Sequence, residues 1–256
     1  MGPLDTWAIH GNVKTPGQRD LLRPHQAPVL FTELETAVTN RINVQNDSNY
    51  FIFLEEGLLL DGLQQSRVLT RDAVLAPQSN QVLQTTCIES GRWSGSRGTL
   101  LQGRAPISVI AAARMHDDSP EQKQASVWRA VSRIQTHTST TSETRSLTTS
   151  LQSMKSFEFE EIISGYQIHK GQTGILIGIH GFPLMLEIYE SEKLFRVTFQ
   201  EIIKSVLIET DGSFYREVND TEIRKFFDDV LKIPSTQTSD IHLLAINQQH
   251  PVLQFA

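Results

Sequence analysis

The segment Ile175-Leu176-Ile177-Gly178-Ile179 constrains the fold most, because apolar residues stand at both parities of a strand and leave neither face for water. Leu184, Leu186 and Ile188 resume the pattern after His180-Gly181-Phe182-Pro183, so the reading is a β-hairpin of buried central strands. Such a hairpin must be covered. Phe195, Phe199, Ile202, Ile203, Val206 and Leu207 recur at helical spacing. So do Ile223, Phe226, Phe227, Val230 and Leu231, which follow an Asn219-to-Glu222 capping box and end before Pro234. Gly171, Gly174, Gly178 and Gly181 carry no phosphate-loop spacing and read as tight turns and close strand contacts.

The first half has a different rhythm. Short β-rich runs cover Arg41 to Val44, Tyr50 to Leu60, Arg67 to Leu75 and Gln81 to Ile88, and the turn formers Asn46-Asp47-Ser48-Asn49 and Pro77-Gln78-Ser79-Asn80 break them. They predict an antiparallel meander or sandwich-like sheet. Ser119-Pro120-Glu121-Gln122 opens a helix with a cap, a proline at its first position and a capping box, after which Trp128, Val131 and Ile134 share a face. Residues 136–153 are dominated by Ser and Thr and read as a loop before a short helix. The fold class is therefore α+β, with the hairpin and amphipathic helices of the C-terminal half packed on the N-terminal sheet. A single domain over 1–256 is the preferred organisation, because the strands after the Ser/Thr stretch show no large sheet of their own; a split into 1–135 and 154–256 is the alternative.

Composition bounds the function. At 256 residues, 39% hydrophobic and 20% charged, the chain has an ordinary globular balance and should fold without metals or disulfides. A net charge of −6 without a Lys or Arg run excludes a broad nucleic-acid surface. Arg67, Arg71, Arg92, Arg97 and Arg104 fall in one half of the chain and leave room for a local phosphate site. Cys87 is the only cysteine, so an intramolecular disulfide and a thiolate zinc cage are both excluded, and a reducing, cytoplasmic setting is expected. No uncharged apolar run reaches the roughly 18 residues that span a bilayer, and no signal-peptide pattern is read, so no membrane association is expected.

The densest polar stretches are Leu58-Leu59-Leu60-Asp61-Gly62-Leu63-Gln64-Gln65-Ser66-Arg67 and Cys87-Ile88-Glu89-Ser90-Gly91-Arg92-Trp93, each beginning where an apolar strand ends. A nucleotide fits this set: Arg92 as a bidentate phosphate fork, Trp93 as a stacking face, Asp61 or Glu89 for sugar hydroxyls. The same residues also fit a salt bridge from Arg92 to Glu89 or Asp61 that fixes a turn, with Trp93 as a core plug, and this reading is favoured because ion-pair networks at strand ends are common without function. A third reading makes Asp61 and Glu89 the acid/base pair of a hydrolase, which needs the two carboxyl groups facing across a cleft. The eight histidines form no ligand pair on a helix face, and His116-Asp117-Asp118 reads as a solvated loop before the capped helix, so neither metal nor cofactor is expected. Cys87, in an apolar run, reads as a buried small hydrophobe.

These motifs resemble a family named for its genomic association with ADP-ribosylglycohydrolases and rhodanese-phosphatases. The resemblance is carried by Leu58-Leu59-Leu60-Asp61-Gly62 with Arg67, by Cys87-Ile88-Glu89-Ser90-Gly91-Arg92-Trp93, and by Trp128. It continues through Gln172-Thr173-Gly174, Glu187-Ile188-Tyr189-Glu190 and Leu194-Phe195. Where members of that family carry an acidic residue and a Gly-Ala-Lys-Gln-like run after the Asp-Gly pair, this chain has Leu63-Gln64-Gln65-Ser66. The resemblance implies a link to ADP-ribose or NAD metabolism and brings no reaction with it. The expectation is a ligand-binding or accessory module with Asp61, Arg67, Glu89, Arg92 and Trp93 around an ADP-ribose-like nucleotide. The alternatives are the Asp61/Glu89 hydrolase and a scaffold that docks a protein partner.

Overall fold

The computed structural model describes residues 3–11, 20–36, 38–93, 97–114, 119–154, 156–210, 219–232, 241–250 and 253. In chain order the elements are β1 (Asp5–Ile9), β2 (Leu21–Leu22), β3 (Val29–Thr32), β4 (Arg41–Asn46), β5 (Phe51–Leu54), β6 (Leu58–Leu63), β7 (Arg67–Leu69), β8 (Ala73–Leu75), β9 (Ser79–Cys87) and β10 (Arg97–Arg104). There follow α1 (Ile107–Ala113), α2 (Pro120–His137), α3 (Leu147–Ser153), α4 (Ser156–Ser164), β11 (Gly174–Ile179), β12 (Phe182–Tyr189), α5 (Glu192–Leu207), α6 (Asp220–Leu231) and β13 (His242–Ile246). The fold is α+β, as the two rhythms of the sequence predict. Contacts divide it into two compact units, Met1–Gln18 with Ser156–Phe255, and Arg19–Lys155 with Ala256.

In the unit of residues 19–155, a six-stranded sheet runs in the order β10-β6-β7-β9-β4-β3 and a three-stranded one in the order β2-β5-β8. All pairings are antiparallel except β2 with β5. Between the sheets lies a core of Ile42, Val44, Ile52, Leu54, Leu58, Leu60, Leu69, Leu75 and Leu83, contributed by strands of both. That sharing explains where the expected runs differ from the observed strands. Tyr50 to Leu60 is broken at Glu55-Glu56-Gly57, and β5 and β6 belong to different sheets; β7 and β8 divide the Arg67 to Leu75 run in the same way. Gly57 makes the first crossing with φ +84°, and a Cβ there would stand 2.6 Å from the side chain of Ile110. Each crossing lets one apolar run cover both sides of the core.

Helix α2 begins as read: the Ser119 hydroxyl accepts from the Gln122 amide, and the Gln122 side chain accepts in return from the Ser119 amide. It packs on α1 and β9 through Val127, Ala130, Val131 and Ile134. Trp128 departs from the expected buried face and stands at its rim, 41% exposed. The Ser/Thr stretch splits into the end of α2, a loop, and α3 capped by Ser146.

In the other unit the hairpin β11-β12 is flanked by β1 and β13, giving a four-stranded antiparallel sheet in the order β1-β11-β12-β13. The hairpin thus has a sheet of its own, contrary to the sequence expectation, because its two outer strands come from opposite ends of the chain. Ile223 and Val230 of α6 join Leu176, Leu186 and Ala245 in one core cluster. Tyr189, of opposite parity to Leu186 on β12, meets Phe195 of α5 with ring centroids 6.0 Å apart. Helices on both faces are what apolar residues at both parities require. Gly174 and Gly178 give close strand contact: a Cβ on Gly174 would collide with the Glu187 carbonyl, and one on Gly178 would lie 2.8 Å from that of Phe182.

Candidate functional site

At the end of β6 the chain turns with Gly62 at φ 103° and Leu63 at φ 52°, and this turn is held from below by the segment after β9. Glu89 is 3% exposed and receives donors on both oxygens. Its Oε2 accepts from the Ser66 amide and hydroxyl, both at 3.0 Å, and from Arg92 Nη2 at 2.7 Å. Its Oε1 accepts from Arg92 Nε at 2.9 Å and from the Thr144 hydroxyl at 2.6 Å. Arg92 spends its other donors on the turn, giving Nη1 to the Leu63 carbonyl at 2.7 Å and Nη2 to that of Gly62 at 3.2 Å. Asp61 closes the network, accepting from the Gly62 amide, from Ser66 Oγ at 2.6 Å and from Thr148 Oγ1 at 3.1 Å.

Burial pushes the Glu89 carboxyl up, but the hydrogen bonds from Arg92, Thr144 and Ser66 outweigh it and hold the group below its usual range. Glu89 in turn holds the Arg92 guanidinium charged more firmly than usual, against a smaller opposing effect of burial. A carboxylate kept ionised, with both oxygens occupied, is suited to bracing a turn. Asp61 and Glu89 do come together, and they meet at the hydroxyl of Ser66, which is itself 0% exposed.

Arg67 lies apart from that network. Fully buried, it directs Nη2 at both oxygens of Glu33, at 3.0 and 2.8 Å, and Nη1 at the backbone carbonyl of Arg41 at 3.3 Å. The ion pair offsets the cost of burying the guanidinium, and the bond to Arg41 ties it to the start of β4.

Trp93 is no core plug. It is 51% exposed and lines a groove of about 810 Å³. The groove is built from Gln84, Thr85 and Thr86 of β9, Arg41 at the head of β4 and Thr70 after β7, with α2 contributing Pro120, Glu121, Lys123, Gln124 and Trp128. The register sets this wall, for Arg41 stands opposite Gln84 and Leu69 opposite Thr85. Helix α2 is fastened to β9 by a side chain that imitates a strand: Gln124 Oε1 accepts from the Cys87 amide at 3.0 Å and Nε2 donates to the Cys87 carbonyl at 2.7 Å. Four residues on, Trp128 stands on the same helix face and lines the groove. Burial pushes the Cys87 thiol up to about 11, more than its hydrogen bonds lower it, so Cys87 is an inert buried side chain.

Of the five residues chosen from sequence, Asp61, Glu89 and Arg92 form one network, Arg67 a separate ion pair, and Trp93 alone faces the groove. Sequence reasoning missed Trp128 as a groove residue, and Arg41, Lys123 and Gln124 entirely. The i, i+4 pairing of Gln124 with Trp128 was the one available signal. It also missed two buried charge clusters. Arg23 and Arg104 flank Glu55 at 2.7 and 3.6 Å, and the carboxylate of Glu187 takes the Tyr189 hydroxyl at 2.8 Å with His242 Nε2 at 2.7 Å. His116-Asp117-Asp118 lies outside the described residues. Among the described residues no three His, Cys, Asp or Glu side chains are grouped to hold a metal ion, and no helix is long and apolar enough to cross a membrane.

Comparison with curated proteins and with solved structures finds no match. A family model does match, that of the ARG and Rhodanese-Phosphatase-superfamily-associated Protein domain, over residues 25–245. The match takes in β4, β6, β9 and α2, hence every element that builds the groove and the network behind it. Spanning well over half of the chain, it makes this protein a member of the ARG and Rhodanese-Phosphatase-superfamily-associated Protein domain family.

Proposed function

We propose that the protein is a ligand-binding accessory module that holds an ADP-ribose-like nucleotide in the groove between Trp93 and Trp128. The observation that carries this reading is the pair of half-exposed indoles lining one groove. Exposing so much aromatic surface forgoes burial free energy, and a flat heterocycle recovers it by stacking. Hydroxyl and amide groups of Thr39, Asn40 and Gln84 line the same space and suit a ribose. The family description, which names association with ADP-ribosylglycohydrolases and rhodanese-phosphatases, points to the same ligand class. In this reading Asp61, Glu89 and Arg92 brace the segment that carries Trp93, and Arg67 braces the wall that carries Arg41.

Intrinsic tryptophan fluorescence tests it. ADP-ribose should quench the emission saturably, and Trp128→Ala or Trp93→Ala should weaken binding about tenfold or more, since losing one stacking face costs roughly 1–3 kcal/mol. Equal affinity in the wild type and both variants would sink the proposal.

A further inference from the structure

The groove has a second chemical character besides its indoles. Two of its side chains are cations, Arg41 at the head of β4 and Lys123 on α2, set against the single carboxylate of Glu121. Among the described residues neither cation makes an ion pair, although Arg92, Arg67, Arg23, Arg104 and Arg114 all do. Glu121 is exposed in the first turn of α2, where its own amide and then Ser119 lower its carboxyl, so it remains a charged neighbour. The groove is thus locally positive in a chain of net charge −6. The two cations also differ in kind: a guanidinium presents a planar fork to two phosphate oxygens, whereas an ammonium is a point charge that suits a neighbouring oxygen. They sit on separate elements, yet the framework between those elements is tied. Arg67 bonds the Arg41 carbonyl, the Thr85 amide donates to the Asn40 carbonyl at 3.0 Å, and Gln124 clamps α2 to β9.

We infer that Arg41 and Lys123 form the anion-holding end of the groove and take the two phosphates of a nucleoside-diphosphate ligand whose base lies on the indoles. This rests on the nucleotide reading above and adds to it the residues that select by phosphate number. A nucleoside satisfies the indoles and leaves both cations hydrated; a monophosphate engages one of them, and a diphosphate engages both.

Adenosine, AMP, ADP and ADP-ribose are titrated by tryptophan fluorescence into the wild type, Arg41→Gln and Lys123→Gln, with thermal melts confirming that the variants fold. Affinity should rise from adenosine to AMP to ADP. Either variant should lose about tenfold to a hundredfold in ADP affinity, the range for hydrogen bonds to a charged group, while adenosine affinity stays within about twofold because the indoles are untouched. ADP binding no tighter than adenosine, or ADP affinity unchanged in both variants, overturns the assignment of the two cations. Those results leave indole-dependent binding of ADP-ribose standing as a separate finding. A wild type whose fluorescence answers to none of the four ligands removes the nucleotide reading and this inference with it.

Discussion

At the residue scale the decisive contact is the fork of Arg92 on Glu89. Glu89 is almost completely buried and Arg92 mostly so, with side chains 4% and 22% exposed. Removing one partner of a buried pair leaves a charge without compensation, which costs more than the pair contributes when intact. Arg92→Ala should therefore destabilise the protein by about 3 kcal/mol, at the low end for a buried pair because Ser66 and Thr144 still serve Glu89. Urea unfolding measures this, and adding Glu89→Gln to Arg92→Ala should recover part of the loss, since no charge then stays buried. The sequence presented Glu89 and Arg92 as neighbours at a strand end, and their pairing was legible there. That both of Glu89's oxygens would be filled was not, because Ser66 and Thr144 arrive from segments 23 and 55 residues away.

At the element scale, α2 was the most legible part of the chain. Its start is written in Ser119, Pro120 and Gln122, whose interactions are local, and its buried stripe in a spacing that any helix obeys. What the helix lies against was not legible. Gln124 on an isolated helix is an ordinary polar residue, and only the arrival of β9 turns its amide into a partner for both backbone groups of Cys87. Gln124→Ala should leave that buried N–H and C=O unsatisfied, at a cost of about 1–3 kcal/mol. Faster hydrogen exchange at the Cys87 amide is the local signature to measure. Nucleotide affinity should fall with it, as Trp128 rides on the same helix. A Cys87 amide that remains protected in the variant would contradict this account of how the groove is held. The strands show the same limit: β-rich runs are legible in the sequence, but the breaks at Glu55-Glu56-Gly57 and between β7 and β8 are not, since a run of apolar residues does not record which sheet each half joins.

At the scale of the whole molecule, acidification acts on both units in one direction. Burial, only partly offset by its bond to the Ile179 carbonyl, lowers the pKa of His250 below its usual 6.5. As pH falls through 6.5 the unfolded chain takes up a proton that the folded state refuses, so stability present above that value is progressively lost down to the folded pKa. Glu89, also lowered, contributes stability that is full above its ordinary 4.5 and lost as pH falls through its folded value. Below about pH 7 thermal melts should decline first with His250 and then with Glu89. His250→Gln should remove the earlier decline and leave the later one. Sequence alone determined the α+β class, the helix caps, the doubly apolar hairpin and the polar strand ends, because these depend on periodicity and on interactions within a few residues. Only tertiary structure decided that β1 and β13 complete the hairpin's sheet, that Arg67 serves Glu33, and that Trp93 and Trp128 line one groove. Those outcomes depend on which distant segments meet, and such meetings are set by burial of the whole core, of which any one stretch of sequence carries only its own share.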